Sequence, residues 1–201
     1  MKTILTLCCI SALLFGCSST KPPRKDFLLS TLPASQPTPA RSTTPHFNGS
    51  LQVQDLRAPL PYRSTSLIYR ESAQRFVLDP YNGFLAPPAQ QVSDLSREAL
   101  AASGLFTAVL PAGSSLMPNW RLEGELQKLY VDVTLPAQPR VTLSVRYALS
   151  QIEHNTPRIF EFTQTEAIVD ASPEQAVIGF NRALNTILLQ LESSLLTVNT
   201  P

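Results

Sequence analysis

The sequence predicts one α/β domain, a mixed β-sheet of about six to seven strands with two amphipathic helices packed on it. Three observations carry this expectation. Period-two alternation recurs in short runs, clearest where Val141, Leu143, Val145, Tyr147 and Leu149 alternate with Thr142, Ser144, Arg146, Ala148 and Ser150. Two stretches instead repeat apolar residues at helical spacing, one after Pro87-Pro88 and one after Ser172-Pro173. Less a removable leader, the chain keeps about 185 residues, enough for a single substantial core.

The leader comes first. Met1-Lys2-Thr3 is a short positive head, and Ile4 to Phe15 is a nearly unbroken apolar run of signal-peptide length. It is too short for a membrane-spanning helix, which needs roughly 20 residues. The run closes on Leu14-Phe15-Gly16-Cys17, which matches the bacterial lipobox pattern of Leu, a tolerant position, Gly or Ala, then Cys. Residues 1–16 are therefore expected to be a cleaved lipoprotein signal, and Cys17 the lipid-bearing first residue of the mature chain. Its thiolate is the soft nucleophile that takes a diacylglycerol. Three acyl chains, palmitate among them, at ~0.8 kcal/mol per buried CH₂ hold far more firmly than one reversible chain. Cys8 and Cys9 leave with the signal, so the mature chain has no thiol for a disulfide, a metal or nucleophilic catalysis.

Residues 17–26 form the lipidated Cys and a polar tether, and 27–201 the body. Extended at ~3.3 Å per residue, Ser18 to Asp26 spans at most ~30 Å. Phe27-Leu28-Leu29 is a short strand or a hydrophobic plug. Thr31 to Pro45, rich in Pro, Ser and Thr, is an extended loop or a linker. Ser50 to Gln54 alternates as a strand, and Ser66–Arg70 with Arg75–Leu78 forms a hairpin. Residues 79–88, DPYNGFLAPP, are crowded with turn formers.

Pro87-Pro88 then opens a helix whose face is Val92, Leu95, Ala99 and Ala102, stopped by Gly104. Leu105 to Leu110 is a short strand. Trp120, Leu122, Gly124 and Leu126 hold one parity of the next strand, and Leu129, Val131 and Val133 the other, the mark of a bulge. The Val141–Leu149 strand should turn its polar parity to water. Arg158 to Val169 follows, after a turn near His154. Ser172-Pro173-Glu174-Gln175 is a capping box. Behind it, Val177, Phe180, Leu184, Ile187, Leu188, Leu191 and Leu195 make a continuous core stripe.

Nothing in the body points to catalysis. His46 and His154 read as surface loop residues without a second ligand at metal spacing, and no glycine-rich phosphate loop, nucleophile elbow or zinc motif occurs. Glu123 and Glu125 lie on the polar parity of a strand and read as a solvated face. No cofactor, metal or catalytic residue is expected. Sixteen Lys and Arg oppose 15 Asp and Glu, and losing Lys2 with the signal brings the charge near zero, which gives no case for nucleic acid. What remains is a membrane-tethered binding module. Its informative stretches are Pro59–Tyr62, Leu67–Arg70 and Tyr81–Phe84, and Tyr69, Arg70, Tyr81 and Phe84 are the candidate partner-binding residues, since aromatics and Arg dominate interfaces.

The order of features resembles a known family. A lipobox, DFLLSTLP, Pro59-x-Pro61-Tyr62, Ile68-Tyr69-Arg70, the FLAPP segment before a helix, and Gly104-Leu105-Phe106 together resemble the ABC-type transport auxiliary lipoproteins, the PqiC-like lipoproteins. Phe84-Leu85-Ala86-Pro87 stands where the family commonly has Trp-Ala-x-Pro. The resemblance implies helices packed on a mixed sheet and a non-catalytic outer-membrane component. Its partner would be an MCE-domain protein of an ABC system that moves lipids across the periplasm, with self-association left open. Ser18 is not the Asp that typically retains lipoproteins in the inner membrane, so outer-membrane sorting is the expectation. A lipid-binding carrier and an assembly lipoprotein for an outer-membrane β-barrel are the alternatives.

Overall fold

The structure, a computed structural model, describes residues 23–31, 44–153 and 156–198. Cys17, Ser18, most of the Thr31–Pro45 loop and His154 lie outside the described residues. Eight strands form one mixed sheet: β1 Lys25–Phe27, β2 Phe47–Val53, β3 Ser66–Arg70, β4 Phe76–Phe84, β5 Phe106–Val109, β6 Trp120–Asp132, β7 Arg140–Gln151 and β8 Arg158–Ala167. Among the described residues two helices, α1 Pro88–Ser103 and α2 Pro173–Leu196, complete it. The sequence reading holds for class and helix count. The sheet has eight strands because the chain just before Leu28 pairs with the end of β4.

The architecture is organised by β6. Along one edge it pairs antiparallel with β7, which pairs antiparallel with β8. Its other edge is shared. Leu51 to Val53 of β2 run parallel to Trp120–Leu122, and Tyr69-Arg70 of β3 run parallel to Val131-Asp132. Between them Arg57 bridges Glu125, so β6 is hydrogen-bonded at mid-length too. β5 extends the β2 branch; β4 and then β1 extend the β3 branch. The expected bulge falls between Leu126 and Lys128, where the register against β7 slips. It keeps Leu122, Leu126, Leu129 and Val131 on one buried face across the parity change.

Helix α2 covers that face with the stripe read from the sequence, every member buried. Gly179 lets it come close: a Cβ there would lie 2.7 Å from a methyl of Ile168 and 2.9 Å from one of Val141. The start of α2 differs from a full capping box. Ser172 Oγ accepts from the Gln175 amide at 3.4 Å, but the Ser172 amide donates to Asp170 at 2.9 Å. The reciprocal bond from Gln175 is replaced.

Four further expectations are corrected. The buried face of α1 is Ala89, Val92, Ser93, Ser96 and Leu100, while Ala102 is exposed. Ser93 and Ser96 are cheap to bury because their hydroxyls donate to Ala89 and Val92 carbonyls one turn back, both at 2.7 Å. On β7 the polar parity is not all in water: Thr142 and Ser144 are buried, with Ser144 bonded to Gln127 and Thr163. His46 is half-buried, its Nε2 2.8 Å from the Val198 carbonyl. Finally, residues 79–82 do turn, but inside a strand. Asp79 accepts from the Tyr81 and Asn82 amides, making a wide bulge between the Ile68–Leu78 and Ser66–Gly83 pairs, and β4 resumes to Phe84.

Candidate docking surface

Register decides which candidate side chains can meet. In the β3–β4 pair, Arg70 lies opposite Phe76 and Ile68 opposite Leu78. In the β3–β6 pair, Arg70 lies beside Asp132, which puts Ile68 level with Tyr130. Paired residues share a face and i, i+2 share it again. Ile68, Arg70, Phe76, Leu78, Tyr130 and Asp132 therefore occupy the face away from the helices. Tyr69 and Val131 occupy the covered one.

Arg70 is the centre of this cluster. Its Nη1 is 3.3 Å from Asp132 Oδ2, its Nε donates to the Ser72 carbonyl at 3.2 Å, and its guanidinium carbon is 5.8 Å from the Tyr130 ring centroid. The Phe76 ring meets Tyr130 edge-on, with centroids 5.6 Å apart. Partial burial alone would raise the Asp132 carboxyl. Hydrogen bonds from the Thr134 hydroxyl and amide, with the Arg70 and Arg140 charges, outweigh it and hold the group below its ordinary value. Tyr62, at the end of a single 3-10 turn Leu60–Tyr62, joins from the side. Burial raises its phenol, the nearby Tyr130 adds to this, and Arg70 opposes it.

The cluster is fixed and only partly covered. Tyr130 is buried, whereas Phe76 is 46% exposed, Leu78 53% and Leu60 76%. A fixed guanidinium ringed by partly exposed aromatic and aliphatic groups suits a protein interface, where rings bury area at small entropic cost. It carries no reactive group. Among the described residues no cluster of three or more His, Cys, Asp or Glu could hold a metal ion, and no helix is long and apolar enough to cross a membrane.

The sequence-predicted residues divide. Arg70 lies in the cluster. Tyr81 is 40% exposed on the β4 bulge and stays accessible. Tyr69 is on the covered face; its hydroxyl donates to the Ala171 carbonyl at 3.2 Å. Burial, with the charges of Asp79 and Glu174, pushes its phenol up to about 12. It ties the sheet to the approach to α2. Phe84 is 2% exposed and packs 6.2 Å from Phe180, so it is a core residue and offers no ring to a partner. Phe76 and Tyr130 were not singled out. The signal for Tyr130 was present: beyond the bulge, Lys128, Tyr130 and Asp132 hold the polar parity, where an aromatic is out of place.

A family model described as "ABC-type transport auxiliary lipoprotein component" matches residues 27–192. No curated protein matches the chain. Among solved structures, a protein of the DUF330 family from Xanthomonas campestris is similar with a TM-score of 0.68 at 16% identity, covering 87% of this chain and 94% of its own. An uncharacterized protein is similar with a TM-score of 0.64 at 11% identity, over 86% of this chain and 99% of its own. At such identities these likenesses establish the fold.

Proposed function

Since this chain belongs to the ABC-type transport auxiliary lipoprotein component family, we propose that it is the non-catalytic docking component of an MCE-type ABC system moving lipids between the inner and outer membranes. Cys17 anchors it in the outer membrane, and the open sheet face holds an MCE-domain protein of the transporter. The observation that carries the docking role is the Arg70 cluster, a set of aromatic and cationic groups held in place by Asp132 and Tyr130 yet left open by Phe76, Leu78 and Leu60. The lipobox and Ser18 support the location.

The test is capture of the MCE-domain partner from solubilised membranes. Arg70→Ala with Phe76→Ala should reduce capture at least tenfold, since central aromatic and Arg anchors each contribute about 2 kcal/mol or more. Leu60→Asp, at a site too exposed to matter for folding, should reduce it as well. Undiminished capture by both variants would place the docking surface elsewhere. Stoichiometric phospholipid on the wild-type body, with no protein partner, would favour a carrier. Location is tested separately. Cys17→Ser should abolish lipidation, and Ser18→Asp should move the protein to the inner-membrane fraction.

A further inference from the structure

The short tether and the direction of β1 together point to one end of the body as the one that faces the bilayer. This rests on lipidation at Cys17. β1 runs parallel to β4, with Lys25 beside Asn82 and Phe27 beside Phe84. β4 begins at Phe76, level with Arg70 and Asp132, so the amino-terminal end of β1 points to that end of the sheet. Three connections meet there: 71–75, 133–139 and 168–171. They are joined by hydrogen bonds from the Val133 amide to the Arg70 carbonyl, the Ile168 amide to the Pro139 carbonyl and the Tyr69 hydroxyl to the Ala171 carbonyl.

Lengths make the constraint quantitative. Ser66 to Arg70 measures about 13 Å along the strand, close to the height from β1 to this end. Ser66 is level with Asp26 through Gly83, and the nine steps from Cys17 to Asp26 reach about 30 Å at most. The acylated cysteine can therefore pass the end of the body by only about 17 Å. Trp120, at the opposite end of β6, is about 40 Å further away.

Apolar side chains stand at the near end. Val169 is 84% exposed, Leu135 59% and Val77 37%. Charge there is close to balanced: Arg75 pairs with Glu71 at 2.8 Å and Arg70 with Asp132 at 3.3 Å, and Arg140, beside Asp132, and the exposed Asp170 add one charge of each sign. We propose that Leu135 and Val169, with Val77 beside them, rest in the headgroup region of the leaflet that holds the lipid anchor, so the body stands on the membrane in one orientation. The contact is apolar and does not require anionic lipid.

Lipidated full-length protein, reconstituted in phosphatidylcholine–phosphatidylethanolamine vesicles, tests this with an environment-sensitive fluorophore at Leu135→Cys, Val169→Cys or Met117→Cys. Cys17 is acylated, so each variant carries one labelling site. Met117, 83% exposed in the loop preceding β6, is the distal control. Labels at 135 and 169 should shift to the blue and be quenched by lipid-borne nitroxides, and the label at 117 should do neither. Protein that floats with vesicles while all three labels stay in water overturns the orientation and leaves the anchor intact. Protein that lacks acyl mass and does not float removes the anchor and the inference with it. Protection of 135 and 169 only on adding a protein partner also overturns it.

Discussion

The buried contact between α1 and β7 allows a sharp test of how the helix is held. Tyr147 is fully buried, and its hydroxyl lies 2.8 Å from Ser96 Oγ. Ser96 has one proton, and it goes to the Val92 carbonyl at 2.7 Å. Tyr147 must therefore be the donor and Ser96 the acceptor. Removing either group has a different cost. Tyr147→Phe takes away a donor and leaves Ser96 bonded to Val92, so it should cost about 1 kcal/mol, the net worth of one hydrogen bond. Ser96→Ala strands the tyrosine proton in an apolar site at about 1–3 kcal/mol, offset by about 0.5 from the better helix propensity of Ala. The double variant leaves nothing stranded and should lose only about 0.5 kcal/mol. The coupling is then about 2 kcal/mol, readable from denaturant unfolding of the unlipidated body with unchanged slopes. If the two single effects add to within about 0.5 kcal/mol, the donor assignment is wrong.

Two other outcomes follow from the same core. Leu184 is fully buried in the α2 stripe, so Leu184→Ala should cost about 2–5 kcal/mol; an unchanged melting temperature with lost partner capture would make the stripe an interface. Burial pushes the phenols of Tyr147 and Tyr69 up to about 12 from 10.0. The folded state then holds both protons more tightly than the unfolded chain. Stability should be level below pH 10 and fall as pH rises from 10 towards 12. Tyr147→Phe should make that fall shallower in alkaline denaturation curves, and an identical slope would refute the assignment.

Much of this fold was legible because its period is simple. The α2 stripe and β7 alternate cleanly, and the parity switch near Lys128 announced the bulge that β6 contains. What escaped was polar burial. Gln91, Ser93, Ser96, Thr142 and Ser144 are buried because each finds a hydrogen-bond partner, Ser93 and Ser96 one turn back and the others across the fold, and such pairing is invisible to a hydrophobic pattern. The docking cluster was half legible for a related reason. Arg70 and Tyr81 are where a surface reading expects them. The aromatic residue at 84 returns to the core because β4 continues through a segment full of turn formers. Phe76 and Tyr130 become partners only through the β3–β6 register, which joins residues some 60 apart in the chain.

The parallel pairing of β1 with β4 also determines how the protein bears load. With Cys17 acylated as proposed, a pull on the anchor would enter at Lys25 and run along the strand axis, because β1 points towards the end of the sheet proposed to face the membrane. Its ladder to β4 is then sheared, so the bonds resist together; a hairpin pulled at its tip would unzip one bond at a time. Strain passes from β1 into both helices, through the Leu29 amide to Gln91, the Ser30 amide to Asn181 and the Lys25–Glu174 ion pair. A three-residue strand would be a weak attachment by itself. Loaded in shear and clamped to two helices, it would form a mechanical root for a body held at one point.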